Sequence, residues 1–211
     1  MNGIVRQVYE SILNFDRGVI GKKVQEALDA GIDPQAILSD GMIAAMGEVG
    51  RRFEEGEFFI PEMLIAATTM ETGLAVLQPH LTQQGVKSAG RILIGTVKGD
   101  LHDVGKNLVA MMLRGSGFEV IDLGVDIAPE RFVEEALSKK PQVIAMSALL
   151  TTTMPSMNTT IQALKEAGLR SKVKVIIGGA PLSDSYAKEI GADGYAPDAN
   201  RAVKVARSLL A

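Results

Sequence analysis

The segment RILIGTVKGDLHDVGKN, residues 91–107, combines a short apolar run, a polar turn and the beginning of a helical pattern. The apolar run is rich in isoleucine, which is typical of a buried strand. The turn holds His102, one of only two histidines in the chain, with Asp100 two residues before it and Asp103 directly after it. A strand that leads through a short turn into a helix is typical of a parallel α/β sheet. His102 is therefore expected to lie in a loop at the carboxyl end of a strand.

The same alternation continues to the end of the chain. Further apolar runs occur at EVIDLG, PQVIAMSAL and VKVIIGG, and a weaker strand is expected at GYA, with helical segments between them. Near-continuous apolar strands separated by helices indicate a parallel sheet covered by helices on both faces. We therefore predict that residues 86–211 form a flavodoxin-like, Rossmann-type α/β domain with a five-stranded, parallel, doubly wound sheet. Such sheets bind ligands at the carboxyl ends of their strands, beside the topological switch point.

The first half of the chain shows helical spacing of its apolar residues without any strand-like alternation. One of its helices is expected to begin at Asp33 and Pro34, an N-cap followed by a proline at the first helical position. A long apolar segment follows, and Pro79 is expected to disturb its end. We predict a four-helix bundle over residues 1–85, joined to the α/β domain by a polar, glycine-containing linker at 82–90.

Composition excludes several classes of protein. The net charge of −3 argues against nucleic-acid binding. The chain has no cysteine, which excludes disulfides, iron–sulfur clusters and thiolate zinc sites. It contains no run of about 18 apolar residues, and the N-terminal segment lacks the basic and apolar regions of an export signal. We expect a cytoplasmic protein with no nucleic-acid partner and no membrane association.

Three predicted strand-end loops hold the residues from which a site can be built. The first holds Asp100 and His102, the second holds Ser147 and Thr151, and the third is a pair of glycines. The plain alternative is that His102 caps or bonds within its own loop, that Asp103 is a helix N-cap and that the glycines are turn residues. However, a histidine that ligates a metal usually donates its second ring N–H to a carboxylate. Asp100 is close enough in sequence to accept that bond.

These residues resemble a known family. The pattern Asp-x-His-x-x-Gly, then Ser-x-Leu, then Gly-Gly is similar to the signature of cobalamin-binding domains of the methionine-synthase type. Its three parts are Asp100, His102 and Gly105; Ser147 and Leu149; and Gly178 and Gly179. The segment FEEGEFFIPEMLIAA resembles the helical cap that precedes this module in methionine synthase and in the small corrinoid proteins of anaerobic methyltransferase systems. The resemblance covers nearly the whole chain.

The resemblance implies that the chain binds cobalamin or a related corrinoid in the base-off, His-on form. The cofactor's own base would leave cobalt, and His102 would replace it as the lower axial ligand, with Asp100 as its hydrogen-bond partner. The displaced nucleotide tail would enter the α/β domain, where the glycines at 105, 178 and 179 would leave room for it. Ser147 and Thr151 would bond to the displaced base or tail. The other residues implied to contact the cofactor from this domain are Gly99, Leu101, Asp103, Leu149 and Ala199.

The resemblance also implies contacts between the cap and the upper face of the corrin. The residues concerned are Phe53, Phe59, Ile60 and Met63, and the alternative for Ile60 and Met63 is that they belong to the core of the bundle. Burial of each aromatic ring contributes roughly 1.5–3 kcal/mol, which would hold the cap closed and still let a partner displace it. The cap would then move about the linker at 82–90.

A methyl carrier is the function that this resemblance implies. Cobalt(I) would take a methyl group from a donor of the methanol, methylamine or aryl methyl ether class, and methyl-cobalt(III) would pass it to tetrahydrofolate or a thiol. The sequence contains no barrel-sized substrate domain, so the chain would be a non-catalytic carrier subunit. Its expected partners are donor-side and acceptor-side methyltransferase proteins and a reductive activase.

Two other functions remain open for the same module. A cobalamin-dependent sensor or regulatory protein would respond to the cofactor through a partner. A small subunit of an adenosylcobalamin mutase shares the Asp-x-His-x-x-Gly pattern, but a bulky adenosyl group would clash with a closed aromatic cap. A phospho-receiver domain, which has the same type of sheet, is excluded because its acceptor aspartate would follow the third strand, where this chain has AMSALLTTT.

Overall fold

The computed structural model describes residues 2–84 and 88–211. They form two compact units, described in turn below. The helical unit contains the described residues up to 84 together with 114–117, and the sheet unit contains 88–113 and 118–211. The predicted domain boundary between residues 85 and 86, and the middle of the predicted linker, fall on residues outside the described part of the chain. Both therefore stay predictions.

The helical unit consists of helices that follow one another along the chain. Their bounds are α1 Gly3–Leu13, α2 Arg17–Asp29, α3 Pro34–Ala36, a π-helical segment Ile37–Ile43, α4 Ala44–Glu54 and α5 Ile60–Gln83. Asp33 caps α3 as predicted, because its carboxylate accepts a hydrogen bond from the backbone N–H of Gln35. Since α3, the π-helical segment and α4 are continuous, these elements form the four helical rods that the sequence predicts.

The middle of the third rod is π-helical, which the sequence did not predict. This segment contains Gly41, where a Cβ would lie 3.3 Å from Cγ1 of Val5 in α1. The missing side chain therefore lets α1 approach the segment closely, and Val5 and Val8 of α1 are buried. The wider π turn is therefore associated with packing between α1 and the third rod. The 3.6-residue spacing of apolar residues in the sequence does not predict such packing.

The last rod, α5, continues through Pro79 to Gln83, so the disturbance expected at this proline does not end the helix. Leu77 and Leu81, on either side of Pro79, are buried. Their packing outweighs the single backbone hydrogen bond that a proline removes. By length and composition alone α5 would also be able to cross a membrane, the one such helix within 2–84 and 88–211. Its buried residues, among them Met63, pack into the core of the helical unit, as expected for the central helix of a bundle.

The remaining elements form a parallel sheet and the helices that accompany it. The strands are β1 Arg91–Thr96, β2 Glu119–Asp122, β3 Val143–Ser147, β4 Lys174–Gly178 and β5 Gly194–Ala196, and the helices are α6 Val104–Gly115, α7 Pro129–Lys139, α8 Pro155–Glu166, α9 Asp184–Ile190 and α10 Ala199–Leu210. All neighbouring strands are parallel, in the order β2-β1-β3-β4-β5. The predicted five-stranded, parallel α/β fold is confirmed.

Both faces of the sheet are covered, as the continuous apolar runs predict. On one face Leu93 belongs to a core that Phe132 of α7 and residues of α8 and α9 complete. Gly95 faces the same side, and a Cβ there would lie 2.9 Å from the Phe132 ring, so glycine makes room for this aromatic side chain. On the other face α10 packs against the sheet, where Val205 lies next to Gly194.

The strand order creates a crevice between β1 and β3. The two strands are neighbours and end level with each other, since Thr96 pairs with Ser147. The chain leaves β1 toward β2 and leaves β3 toward β4, so the two loops depart in opposite directions. This is the topological switch point, at which doubly wound sheets bind ligands. The loop at 97–103 and the loop at 148–154 meet there.

Candidate functional site

Asp100 joins the loops that follow β1 and β3. Its side chain is fully buried, and its Oδ2 accepts hydrogen bonds from the backbone N–H groups of Leu149 (2.7 Å) and Leu150 (3.3 Å) and from the hydroxyl of Thr153 (2.7 Å). Its Oδ1 accepts from the backbone N–H of His102 at 3.1 Å and lies 2.8 Å from Nδ1 of the imidazole. Five donors converge on one buried carboxylate, which ties the His102 loop to the loop after β3.

These contacts keep Asp100 ionised. Burial by itself raises the pKa of this carboxyl, but hydrogen bonds from Thr153, from the backbone of Leu149 and from His102 favour the charged form more strongly. The net effect is a pKa well below the usual range of an aspartate. Asp100 is therefore a fixed negative charge and a hydrogen-bond acceptor at neutral pH.

Asp100 also sets the state of the imidazole of His102. An ionised carboxylate only accepts hydrogen bonds, so Nδ1 donates the proton in this contact, and Nε2 is the ring nitrogen that Asp100 does not engage. The side chain of His102 is 51% exposed. Thr96, buried at the end of β1, donates its hydroxyl to the backbone carbonyl of His102 at 2.9 Å. The loop thus presents a single nitrogen donor, held both through its ring and through its backbone.

The same two loops, together with the first residue of α6, carry four exposed apolar side chains, which we call the apolar rim. Its members are Leu101, Val104, Leu149 and Leu150. Leu101 and Val104 are 71% and 75% exposed, more than any other large apolar residue that the structure describes as exposed. Apolar side chains exposed together mark a surface that binds a ligand or a partner. The imidazole donor therefore lies on loops whose surface is suited to an apolar ligand.

The glycines predicted to leave room for a ligand have different roles. Gly179 has a φ of +140°, and a Cβ there would lie 1.9 Å from the carbonyl oxygen of Ala148. At Gly178 a Cβ would lie 3.0 Å from the carbonyl oxygen of Ala196. Close backbone approach is by itself a reason for glycine at these two positions, and the space for a tail that the sequence analysis expects there stays a prediction. Around Gly105, apart from its chain neighbours and the backbone of its own helix, no described atom lies within 4 Å of an added Cβ, so this glycine does leave open space.

The other predicted residues of the sheet unit lie along the carboxyl edge of the sheet. Ser147 ends β3 and is half-buried, and Thr151 is exposed in the loop that follows. Gly99 lies in the His102 loop with a φ of +84°. Asp103 is exposed directly before α6, and its carboxylate accepts a hydrogen bond from the Asn107 side chain. Ala199 is buried at the first position of α10.

Thr153 is a site residue that the sequence prediction missed, as are Val104 and Leu150 of the apolar rim. Three consecutive threonines follow β3, and the prediction selected Thr151, which forms no side-chain hydrogen bond within the described parts of the chain. The structure instead buries Thr153, whose hydroxyl bonds to both Asp100 and the carbonyl oxygen of Leu150. The residue that could have identified Thr153 is Pro155, which begins α8 and therefore indicates a turn just before this helix. A turn at that place brings the side chain of Thr153 back to the backbone of Leu150.

The predicted residues of the helical unit differ in exposure. Phe59, directly before α5, is 63% exposed, and Ile60 at the start of α5 is also exposed. Phe53, near the end of α4, is half-buried. Met63 is fully buried in the core of the unit, which agrees with its alternative interpretation as a bundle residue.

The turn that carries Phe59 is well anchored. The ring of Phe58 packs against Phe15 with the centroids 5.4 Å apart, and the guanidinium of Arg52 lies 5.1 Å from the Phe58 centroid. On the other side, the carboxylate of Glu62 accepts the backbone N–H of Phe59 at 3.0 Å. Phe59 is therefore held in an exposed position by its neighbours, which suits an aromatic side chain that contacts a ligand or a partner.

Two family models, both described as a B12 binding domain, match residues 4–78 and 90–204. The chain belongs to the B12-binding domain family. A trimethylamine corrinoid protein from Methanosarcina acetivorans is 44% identical to it over 98% of this chain and 97% of that protein.

Two solved structures are also similar. A cobalamin-binding protein from Desulfitobacterium hafniense is 32% identical, with a TM-score of 0.81 over 97% of this chain and 98% of that one. The methanol:cobalamin methyltransferase complex from Methanosarcina barkeri gives 28% identity and a TM-score of 0.87 over 99% of this chain and 80% of the other.

The residues at the switch point fit the cofactor of this B12-binding family. Among the described residues no group of three or more histidine, aspartate or glutamate side chains could hold a metal ion by itself. A single imidazole is sufficient for cobalt, however, because the corrin ring already supplies four nitrogen ligands. The apolar rim suits the face of a macrocycle, and the open space at Gly105 suits a bound group.

We expect Thr153→Val to destabilise the cofactor-free protein by about 2 kcal/mol. The substitution keeps the shape of the side chain and removes the hydroxyl that bonds to ionised Asp100 at 2.7 Å, and a hydrogen bond to a charged group contributes about 1.5–3 kcal/mol. Urea unfolding followed by circular dichroism measures the change.

Thr151→Val is the matched control, since Thr151 is exposed on the same loop. A surface substitution of this kind changes stability by no more than about 0.5 kcal/mol. Equal stabilities of the two variants would contradict the role of Thr153 as a support of Asp100.

Proposed function

We propose that this chain is a corrinoid-binding methyl carrier, a non-catalytic subunit of a multi-component methyltransferase system. The observation that carries the proposal is the 2.8 Å contact between Asp100 and Nδ1 of His102, which leaves Nε2 as a free donor at the switch point of a B12-binding protein. The names of similar proteins support the carrier role. One is a trimethylamine corrinoid protein, and another is part of a methanol:cobalamin methyltransferase complex.

We assign His102 as the lower axial ligand of cobalt, with the cofactor in the base-off form. When bound, the corrinoid supplies a cobalt centre that accepts a methyl group in its reduced state and releases it to a nucleophile. The protein's part is orientation. Asp100 keeps the proton of His102 on Nδ1, so the lone pair of Nε2 stays available to the metal. Thr153 and the backbone of Leu149 hold the carboxylate in place through hydrogen bonds of 2.7 Å each.

The loops around His102 are proposed to cover the lower face of the macrocycle and to admit the nucleotide tail. Burial of the apolar rim against the corrin would contribute favourable free energy and exclude water from the ligand nitrogen. Gly105 leaves space where a larger residue would obstruct a bound group. The remaining proposed contacts are Gly99, Leu101, Asp103, Ser147, Leu149, Thr151, Gly178, Gly179 and Ala199.

From the helical unit we propose that Phe53, Phe59 and Ile60 shield the face that carries the methyl group. Phe59 and Ile60 are exposed apolar side chains, which suits this role. Met63, which is buried, would support them from the core of the unit. Each transfer requires access to the methyl group, so the shielding residues have to be displaced when a partner protein binds, by a movement that we place at the linker.

The proposed partners are the proteins that do the bond chemistry. A donor-side methyltransferase would load the carrier with a methyl group from a methylamine, methanol or an aryl methyl ether. An acceptor-side methyltransferase would pass the group to a thiol or tetrahydrofolate, and a reductive activase would restore oxidised cobalt. We place this chemistry in the cytoplasm, with no nucleic acid or membrane involved.

A transfer assay tests the function. The purified protein is loaded with methylcobalamin, a methyltransferase that uses a thiol acceptor is added, and the methylated thiol and the visible spectrum are followed with time. We expect a methylated product and loss of the methyl-corrinoid spectrum, both dependent on the loaded protein. A protein that binds methylcobalamin but never transfers the group would support a sensor. A stable adenosylcobalamin complex with no methyl exchange would support a mutase subunit.

We expect the double variant Leu101→Ser, Val104→Ser to bind corrinoid at least about tenfold more weakly. Both side chains are largely exposed without the cofactor, so their loss changes the stability of the cofactor-free protein by no more than about 1 kcal/mol. Each apolar side chain that becomes buried contributes about 1.5–3 kcal/mol when burial is complete. Equilibrium titration with cobalamin, followed by absorbance, measures the affinity.

Leu137→Ser is the control for general surface effects, because Leu137 is 55% exposed on α7 in the same sheet unit. It should bind corrinoid as tightly as the wild type. Equal affinities for the control and the double variant would exclude the apolar rim from the binding surface.

A further inference from the structure

Asp126, in the loop between β2 and α7, contacts the His102 loop from the side of β2. Its carboxylate Oδ1 accepts a hydrogen bond from the backbone N–H of Gly99 at 2.7 Å. Its own backbone N–H donates to the carbonyl oxygen of Asp100 at 3.0 Å. The two bonds run in opposite directions and bracket Gly99 and Asp100, so they fix both the position and the rotation of this backbone segment.

The backbone conformation of Asp126 at this contact is unusual. Asp126 has a φ of +55° and Gly99 has a φ of +84°, and residues other than glycine adopt this left-handed region only at some energetic cost, asparagine and aspartate least. Asp126 is exposed, so burial in a core does not explain why the chain adopts this conformation. Outliers of this kind persist where the surrounding contacts hold them, and they concentrate at functional sites.

The His102 loop is thus held from both neighbouring strands of β1. On the side of β3, Leu149, Leu150 and Thr153 hold the side chain of Asp100. On the side of β2, Asp126 holds the backbone. The direction of the His102 imidazole depends on both sets of contacts. Its Nδ1 bonds to the Asp100 carboxylate, and the position of its Cα depends on the backbone segment that Asp126 holds.

We propose that Asp126 is a positioning residue for His102. It acts through Gly99 and Asp100 to hold the imidazole in the single orientation from which Nε2 reaches the metal, and its own hydrogen bonds go to backbone groups of these two residues. This inference rests on the proposed function, in which His102 is the ligand of cobalt. Through Asp126, the loop after β2 would help to orient the axial ligand, although this loop carries no part of the sequence pattern that resembles the family.

Two substitutions separate the side-chain acceptor from the backbone conformation. Asp126→Gly removes the acceptor and tolerates the left-handed φ better than aspartate does. Asp126→Asn keeps an acceptor oxygen at the same position and also tolerates this φ. Glu130→Gln, at an exposed position in the first turn of α7, is the control for the loss of one negative charge from the same region.

The first measurement uses the cofactor-free protein and nuclear magnetic resonance. For Asp126→Gly we expect the Gly99 amide to exchange with solvent at least about tenfold faster than in the wild type, with interior amides of β1 unchanged. We also expect the nitrogen shifts of His102 to move from a single Nδ1–H tautomer toward an average of the two. Asp126→Asn and Glu130→Gln should remain within about twofold of the wild type in Gly99 exchange.

The second measurement is the visible spectrum of bound cobalamin. We expect the ratio of the His-ligated to the unligated form to fall at least about fivefold in Asp126→Gly and to recover in Asp126→Asn. A wild-type ratio in Asp126→Gly, or equal losses in the glycine and asparagine variants, would overturn the proposal. If wild-type protein shows no His-ligated spectrum at all, the proposed function fails. The exchange and tautomer data then still decide whether Asp126 holds the loop.

Discussion

His102→Ala is expected to abolish the spectrum of histidine-ligated cobalamin. His102 is the imidazole that buried, ionised Asp100 holds at the switch point through Nδ1, and no cluster of metal-binding side chains among the described residues can replace it. Removal of a residue that merely supports a metal ligand weakens binding by about 10–100-fold. Removal of the ligand itself should weaken corrinoid binding by at least as much.

The variant should still fold, because His102 is half exposed and contributes little to the core. The measurement is the visible spectrum of the reconstituted protein, together with its affinity from equilibrium titration. Added free imidazole should restore part of the His-ligated spectrum, since the truncated side chain leaves a gap of its own size beside Asp100. An unchanged spectrum in His102→Ala would refute the ligand assignment.

His80→Ala is the matched control, as it removes the other histidine of the chain. His80 lies near the end of α5 in the helical unit. Its substitution should leave the spectrum and the affinity at wild-type values. If His80→Ala changed the spectrum and His102→Ala did not, the site would have to be placed elsewhere.

Gly179→Ala is expected to have the largest effect on stability. A Cβ at this position would lie 1.9 Å from the carbonyl oxygen and 2.9 Å from the carbonyl carbon of Ala148, and the φ of +140° is itself unfavourable for alanine. Both obstructing atoms are backbone, so no side-chain rotation relieves the clash. The strand ends of β3 and β4 would have to separate, which also breaks the bond from Ala148 N–H to the Gly178 carbonyl at 3.2 Å.

We expect a loss of about 4 kcal/mol or more, a size reached only when a substitution forces backbone strain or a large packing defect. Urea unfolding measures it in the cofactor-free protein. Gly105→Ala is the contrasting variant, because its Cβ meets nothing within 4 Å and the residue lies in α6. It should be as stable as the wild type or up to about 1 kcal/mol more stable, since alanine favours a helix, yet it should bind corrinoid more weakly. Comparable stabilities for the two variants would contradict the distinction between structural and ligand-facing glycines.

Much of the fold follows from local patterns in the sequence. Isoleucine- and valine-rich runs of strand length, separated by helical segments, predict a parallel sheet without knowledge of strand order. Asp33 and Pro34 mark the start of α3 because capping depends only on residues two or three positions apart. Two details of the helical half were not predicted, the π-helical segment around Gly41 and the continuation of α5 through Pro79. Both depend on which residues of other helices pack against them.

The threonines after β3 illustrate the same limit within the site. The sequence places three hydroxyls in a row and gives no local reason to prefer one of them. Thr153 is selected because its hydroxyl reaches the carboxylate of Asp100, which lies 53 residues earlier in the chain. Thr151 faces solvent on the same turn.

By itself, the sequence determined the fold class, the pairing of Asp100 with His102 and the position of both on a strand-end loop. Each of these three features depends on residues that are only a few positions apart in the sequence. The spacing of apolar side chains and the geometry of a short loop are sufficient to specify them. Only the tertiary structure decided that three donors from the β3 loop hold Asp100 in place and that Asp126 holds the other side. The physical reason is that these contacts join side chains and backbone groups 27 to 53 positions apart in the sequence. No local pattern of residues specifies such contacts, which form only when the folded chain brings the loops together.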